Sequence, residues 1–344
     1  MEGANRVKNK ILVRSFFVVA IIVLASSFIY LPYYVSKPGM AKELEPIIEV
    51  ENGTEGEGSF MLTTVRMGKA NIYSYLAAKL SKYQTIHPVE DIRREDESDK
   101  EYNLRQLHLM DSSKITAIEV AYSHADIPID YHYKGVYVLS IMEGMPAEGK
   151  INPGDRITKV DGEAFESSKQ FIELVSKKKE GEAVRLTFER DEKIKETELV
   201  LEVLPQTGKA GVGITLVDDK EIKVDPKVDI DSSEIGGPSA GFMFSLEIYN
   251  QLIDEDLTRG YEVAGTGTIA ADGTIGRIGG IEQKIVAADK AGADIFFAPN
   301  ENGADDSNYR GAVETAEDIG TEMKIVPVDT FDEAIDYLML LEDK

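Results

Sequence analysis

The sequence predicts a mixed α/β (α+β) catalytic domain in its last third, a smaller β-rich unit before it, and one N-terminal helix that spans a membrane. Three observations carry this. Residues 15–36 hold no charged side chain and are dense in Phe, Val, Ile and Leu. Residues 133–204 alternate short β-type runs with Gly- and Pro-containing turns. Residues 293–343 then read strand, helix, strand, helix. At 344 residues the chain has room for two or three domains.

The uncharged N-terminal run is long enough to cross a bilayer, with Tyr30, Tyr33 and Tyr34 at the far interface and Pro32 ending the helix. Arg6, Lys8, Lys10 and Arg14 precede it, which sets the N-terminus in the cytoplasm and everything after about residue 36 outside the plasma membrane. A cleaved signal peptide ending near Ala25-Ser26-Ser27 is the competing reading, but the apolar run continues past it to Leu31. The expected organisation is therefore a basic flank and anchor at 1–36, a linker and strand/helix region at 37–125, the β-rich unit at 126–205 and the catalytic domain at 206–344.

Residues 37–60 are rich in Pro, Gly and Glu and read as an exposed linker; 59–67 reads as a strand, 70–83 and 103–123 as helices, and the charged stretch 89–102 as a solvated loop or helix face. The 59–67 strand is open to joining the sheet of the last third, which would make the β-rich unit an insertion. That unit has strands at 136–141, 156–160, 183–189 and 196–203 and a helix at 167–179. Gly144 to Lys150 spaces its glycines and lysine like a phosphate loop, but Ile151 stands where a hydroxyl should ligate magnesium and Pro146 lacks an N–H, so no nucleotide site is expected.

Composition excludes several chemistries. The chain has no Cys, hence no disulfide, thiol nucleophile or cysteine-held metal. Asp and Glu outnumber Lys and Arg by 62 to 38, a net charge of −24 that argues against nucleic-acid binding.

The chemistry concentrates at EIGGPSAGFMF, residues 234–244. Gly236, Gly237 and Pro238 make a turn, and the apolar run from Phe242 enters a core helix, so Ser239 stands above a helix N-terminus. Backbone N–H groups of Gly237, Ser239 and Ala240 are placed to hold a developing oxyanion there; a serine that merely caps the helix is the alternative. The stretch also fits G-x-S-x-G, but the histidines (His87, His108, His124 and His132) all precede Ser239, so the hydrolase order Ser, Asp, His is impossible. A lysine base is what remains, provided burial brings its pKa from about 10.4 toward 7–8. Lys284 shares a helix face with Ile281, Ala287, Ala288 and Ala291, after a hairpin turning at Asp272-Gly273. A surface lysine snorkelling at the edge of that face is the competing reading.

Two resemblances complete the picture. The run from Tyr133 through the turn Ile151-Asn152-Pro153-Gly154-Asp155 to Gly162 resembles a PDZ domain of the type found beside bacterial proteases. It implies an extended peptide added as a strand, with a carboxylate loop near Lys134, Gly135, Val136 and Tyr137 and with Phe171 and Leu174 lining the pocket or simply filling the core. GGPSAG, followed 45 residues after its serine by the lysine of GGIEQK, resembles the proteolytic domain of Lon-type proteases. It implies a Ser239–Lys284 dyad, with the hydroxyl of Thr266 orienting the lysine amine. The whole chain is similar to the membrane-anchored PDZ–Lon proteases of Gram-positive bacteria, which implies a serine endopeptidase needing no ATP, cofactor or metal, acting on peptide or protein substrates. Full Lon enzymes usually carry an acidic residue where Gly236 stands. Ring assembly is common among Lon relatives, leaving a homo-oligomer open. A non-enzymatic PDZ tether and a signal-peptidase-like Ser-Lys enzyme are the other readings.

Overall fold

The structure is a computed structural model that describes residues 14, 16–18, 21, 23–93, 97–205, 207–232 and 235–344. The basic flank at 6–10 and residues 15, 19, 20 and 22 of the expected anchor lie outside the described residues.

The main body is built on a six-stranded sheet whose strands come from both ends of the chain. The N-terminal part supplies β1 (Tyr30–Glu43), β2 (Ile48–Val50), β3 (Ser59–Asn71), helix α1 (Ile72–Leu80), β4 (Thr85–Pro88), the short α2 (Val89–Ile92) and the long α3 (Asp99–His124). A second unit follows: β5 (Asp130–Ile141), β6 (Arg156–Val160), β7 (Glu163–Ala164), α4 (Ser168–Ser176), β8 (Ala183–Arg190), β9 (Lys193–Val200), β10 (Glu202–Val203), β11 (Ala210–Gly211) and β12 (Ile214–Lys223). The chain returns through β13 (Val228–Ile230), α5 (Gly241–Leu252), β14 (Glu262–Gly265), the hairpin β15 (Thr268–Ile269) and β16 (Ile275–Gly276), α6 (Ile281–Ala291), β17 (Ile295–Pro299), α7 (Asn308–Ile319), β18 (Lys324–Val328) and α8 (Phe331–Met339).

The main sheet runs β18-β17-β14-β3-β1-β4. Its first four strands are parallel, with β14 aligned on β3 from Glu262 opposite Ser59 to Gly265 opposite Leu62. Period-two alternation divides the apolar residues between two layers. Phe60, Leu62, Val263, Ile295 and Phe297 pack with α3, α5 and α8. Met61, Ala264, Phe296 and Ala298 pack with α6 and α7 on the other face. The second unit has its own sheet, β12-β5-β6-β8-β9, over a separate core of Val136, Val138, Ile157, Phe171, Leu186 and neighbours.

Three expectations are corrected. The uncharged run does not stay helical to residue 36: the described positions from Arg14 to Ser27 are helical, but Tyr30 begins β1, and Tyr34 and Val35 are buried in the protein. No helix among the described residues is long and apolar enough to cross a membrane. The expected linker at 37–60 is in part regular structure, with residues 37–43 completing β1 and 48–50 forming β2, since Pro38 and Gly39 are absorbed by a bulge between Pro38 and Ala41 instead of breaking the strand. Gly39 is needed there, because a Cβ would stand 2.3 Å from Thr64 Oγ1. Finally, residues 206–223 do not belong to the catalytic body: β12 pairs with β5 from Ile214 opposite Ile141 to Lys223 opposite Asp130.

Candidate active site

Ser239 and Lys284 meet. Lys284 Nζ lies 3.1 Å from Ser239 Oγ and 2.6 Å from the Thr63 carbonyl oxygen. The serine arrives on the turn that opens α5, and the lysine from the fourth position of α6, which packs over β1 and β3. Lys284 is only 2% exposed, among Ile281, Ile285, Ala287 and Ala288 on its own helix. Burial alone pulls its ammonium down from 10.5 to about 7. The amine is thus available as a base near neutrality. Ala291, expected on the same face, is exposed.

Sequence reasoning missed the group that aims the lysine, the Thr63 carbonyl on β3. It lies 221 positions away, and only the parallel pairing of β3 with β14 brings it there. Thr63 is held in turn by its hydroxyl, which donates to the Gly265 carbonyl at 3.0 Å. The expected role of Thr266 is corrected: its hydroxyl donates to the Ser239 carbonyl at 2.9 Å, not to the lysine, so it fixes the backbone of the serine. Gly267 N–H donates to the same carbonyl at 3.0 Å.

Helix α3 holds the turn from the other side. Ser113 Oγ donates to the Pro238 carbonyl at 3.1 Å, and the Gly237 N–H donates to the Gln106 carbonyl at 3.2 Å. In a trans peptide the C=O and N–H point opposite ways. Pinning the Pro238 carbonyl to α3 therefore turns the Ser239 N–H away from α3, and pinning the Ser239 carbonyl to Thr266 likewise sets the Ala240 N–H. Ser239 and Ala240 keep N–H groups without a protein acceptor among the described residues, whereas Gly237 does not. Of the three expected oxyanion donors, two therefore keep an N–H without an acceptor among the described residues. Gly237 instead serves conformation, at φ +86°, which favours glycine.

The dyad opens into a cavity of about 410 Å³ lined by Met40, Leu62, Thr64, Val65, Met67 and Met110 among others. No histidine is among its lining residues. His87 bonds Ser36, His108 stacks on Tyr137 and His124 bonds Asp332. Beyond Leu62 the edge of β3 that faces β14 has no strand partner among the described residues, so one side of Thr64–Met67 is open beside Ser239.

In the second unit the expected peptide site is not where Gly135, Val136 and Tyr137 stand. β5 is an interior strand: Val136 lies opposite both Asp218 of β12 and Ile157 of β6, leaving no edge for an added strand. Phe171 and Leu174 are buried in the core of the unit. The open edge nearest α4 belongs to β12, and Ser168 N–H at the start of α4 donates to Asp218 of that strand at 2.5 Å.

Comparison with known proteins finds relatives of both units. Residues 110–201 match the PDZ domain, and residues 172–341 match the Lon protease C-terminal proteolytic domain. The chain carries a Lon-family serine peptidase domain. It is 28% identical over 223 residues to the Lon protease of Campylobacter jejuni, covering 60% of this chain and 26% of that protein. It is 33% identical over 99 residues to the Lon protease of Campylobacter concisus, covering 29% of this chain and 11% of that protein. The chain thus spans about a quarter or less of the length of these Lon relatives. The PDZ domain of an SdrC-like protein from Listeria monocytogenes is 38% identical, covering 25% of this chain and 90% of that one, with a TM-score of 0.24. The Lon-type domain takes strands from both sides of the PDZ unit, which is why its dyad and its lysine-aiming carbonyl lie so far apart in sequence.

Proposed function

We propose that the chain is a membrane-anchored serine endopeptidase that works without ATP, with Ser239 as nucleophile and Lys284 as its general base. The single observation behind this is the 3.1 Å approach of Lys284 Nζ to Ser239 Oγ in a buried apolar niche, where burial is the only influence moving the lysine's pKa. In the neutral state the serine hydroxyl donates to the lysine lone pair. Ser239 Oγ attacks the peptide carbonyl as its proton passes to Lys284, and the oxyanion forms against the N–H groups of Ser239 and Ala240. Lys284 then gives the proton to the leaving amine, and the C–N bond breaks to leave an acyl-enzyme. Water, deprotonated by the same amine, releases the acyl group. No step draws on a nucleotide, metal or cofactor.

The substrate is an extended peptide or protein segment, lying along the open edge of Thr64–Met67 with side chains against Met40, Met67 and Met110. The PDZ unit selects or presents such chains, and β12 is the edge suited to take one. The anchor reading rests on the helical, exposed and apolar Phe16, Phe17, Ile21 and Leu24 and on the exposed Phe28 and Ile29 just after them, which are costly to leave in water. On that reading the N-terminus is cytoplasmic and both folded units stand outside the plasma membrane.

Detergent-solubilised full-length protein incubated with casein after enzymatic removal of ATP tests the chemistry. Cleavage by the wild type and none by Ser239→Ala or Lys284→Ala is expected. Equal cleavage by all three would remove the dyad, and no cleavage by any would favour a PDZ tether with an inert protease domain.

A further inference from the structure

Helix α1 is apolar on both sides, and only one side is covered. Its sequence is IYSYLAAKL. Ala78 and Tyr75 face inward onto Val35, Ala70, Tyr33 and Ile86. The outward face carries Ile72, Tyr73, Leu76, Ala77 and Leu80, spaced one and four apart so that they form one stripe. Leu80 is 90% exposed, Leu76 54%, Ile72 46% and Tyr73 40%. An uncovered apolar helix face calls for a core or lipid beside it; the charge on the helix is the exposed Lys79, which lies over the Tyr75 ring.

Its place in the fold says which. The start of α1 is fastened to the end of the exposed apolar N-terminal helix: Asn71 Nδ2 donates to the Ser27 carbonyl at 3.0 Å, and Ser26 Oγ meets the Tyr73 hydroxyl at 2.5 Å. The stripe therefore begins where the apolar N-terminal helix ends, beside the exposed Tyr30 ring. Tyrosines gather where chains leave a bilayer. The stripe offers too few side chains for a stable protein interface, which takes roughly 20–30 residues a side, but it suits burial of one helix face in the acyl boundary.

We propose that α1 is a second membrane contact, lying in the headgroup layer with Ile72, Leu76 and Leu80 turned into the acyl chains. This rests on the anchor reading above and goes beyond it, because one spanning helix alone leaves the protease free to swivel. A second contact at the end of β3 fixes its attitude. The cleft residue Met67 stands four strand positions from Asn71, the cap of α1, roughly 13 Å at 3.3 Å per residue. The cleft is then held close above the lipid surface, and chain segments emerging from that surface are its preferred substrates.

The sequence contains no Trp, so one introduced indole reports one place. Full-length Leu80→Trp, Leu24→Trp and, as a distant exposed control, Ile194→Trp are reconstituted in phosphatidylglycerol–phosphatidylcholine vesicles. The lipids are brominated either near the carbonyl end or near the chain middle. The expected result is strong quenching of Leu80→Trp by shallow bromine with a blue-shifted emission, quenching of Leu24→Trp by deep bromine, and none for Ile194→Trp. Quenching of Leu24→Trp without Leu80→Trp would overturn the second contact and leave the anchor standing. Quenching of Leu80→Trp alone would keep the contact and overturn the anchor, and quenching of neither would overturn both. A blue shift of Leu80→Trp without bromine quenching means a protein covers the stripe, and also overturns the proposal.

Discussion

Two buried ionisable groups, Lys284 and Glu247, titrate near the same pH for the same physical reason, and only one is placed to do chemistry. Burial lowers Lys284 to about 7 and raises Glu247 to about 7. Lys284 stands at the floor of the cleft with its Nζ on Ser239 and one peptide carbonyl. Glu247, two turns into α5, accepts from Gln251 Nε2 at 2.5 Å. That glutamine in turn ties the helix to β2 through the Val50 N–H and the Ile48 carbonyl. The carboxyl is sealed among structural bonds and lines no part of the cleft. A shifted pKa marks desolvation; access to a reacting atom is what turns desolvation into catalysis.

The comparison breaks most visibly at the dyad. Lys284→Met is expected to lower kcat by about a thousand-fold or more, measured on an unstructured fluorogenic peptide. A loss below tenfold would mean that the amine is not the base.

The next largest effects are on stability, whose pH dependence from the two groups is opposite. The folded pKa of Lys284 is depressed, so between pH 7 and 10.5 the unfolded chain holds a proton the folded chain lacks, and this lysine makes stability rise with pH in that window. The span is about 5 kcal/mol as an upper bound. Replacing it with Met flattens that rise in urea titrations and stabilises the fold at pH 7 by about 1–3 kcal/mol, once the unsatisfied Thr63 carbonyl is counted. Glu247 has a raised folded pKa, so its contribution is present below 4.5 and is lost as pH climbs to 7. Glu247→Gln is expected to gain up to about 3 kcal/mol at pH 8.

The pH–rate profile sharpens the contrast. Activity should rise with pH to a half-maximum near 7 as Lys284 loses its proton. Because both groups titrate there, the profile of Glu247→Gln decides between them: an unchanged midpoint assigns it to the lysine, and a vanished one would assign it to the glutamate. The smallest effect is expected at Ser113, whose hydroxyl pins the Pro238 carbonyl and so aims the Ser239 N–H. Ser113→Ala should lower kcat about tenfold with KM and the pH midpoint unchanged. A change confined to KM would remove its positioning role.

Much of this site was legible because its parts are local. Gly236-Gly237-Pro238 announces a turn, and the positions of Ile281, Lys284, Ala287 and Ala288 on one helix face announce a buried amine. Thr63, Gln106 and Ser113 were not legible, since each reaches the site through pairing or packing of distant elements. The boundary between anchor and body was misread because Tyr, Val and Ile serve a membrane helix and a strand equally well. Only the partner strand shows that Tyr34 and Val35 lie opposite Lys69 and Gly68. The peptide site in the PDZ unit was misplaced for a related reason: whether β5 is an interior or an edge strand depends on β12, some 80 positions later.

The main sheet draws on residues from Tyr30 to Val328, and its working pair needs a carbonyl from position 63 together with side chains from 239 and 284. On an elongating polypeptide β3 therefore waits, unpaired on its β14 side, until Glu262–Gly265 has been made. The PDZ unit, with its own core, can fold in the meantime. Hydrolytic competence thus cannot precede the addition of Lys284, so a product stalled before it cannot digest its neighbours.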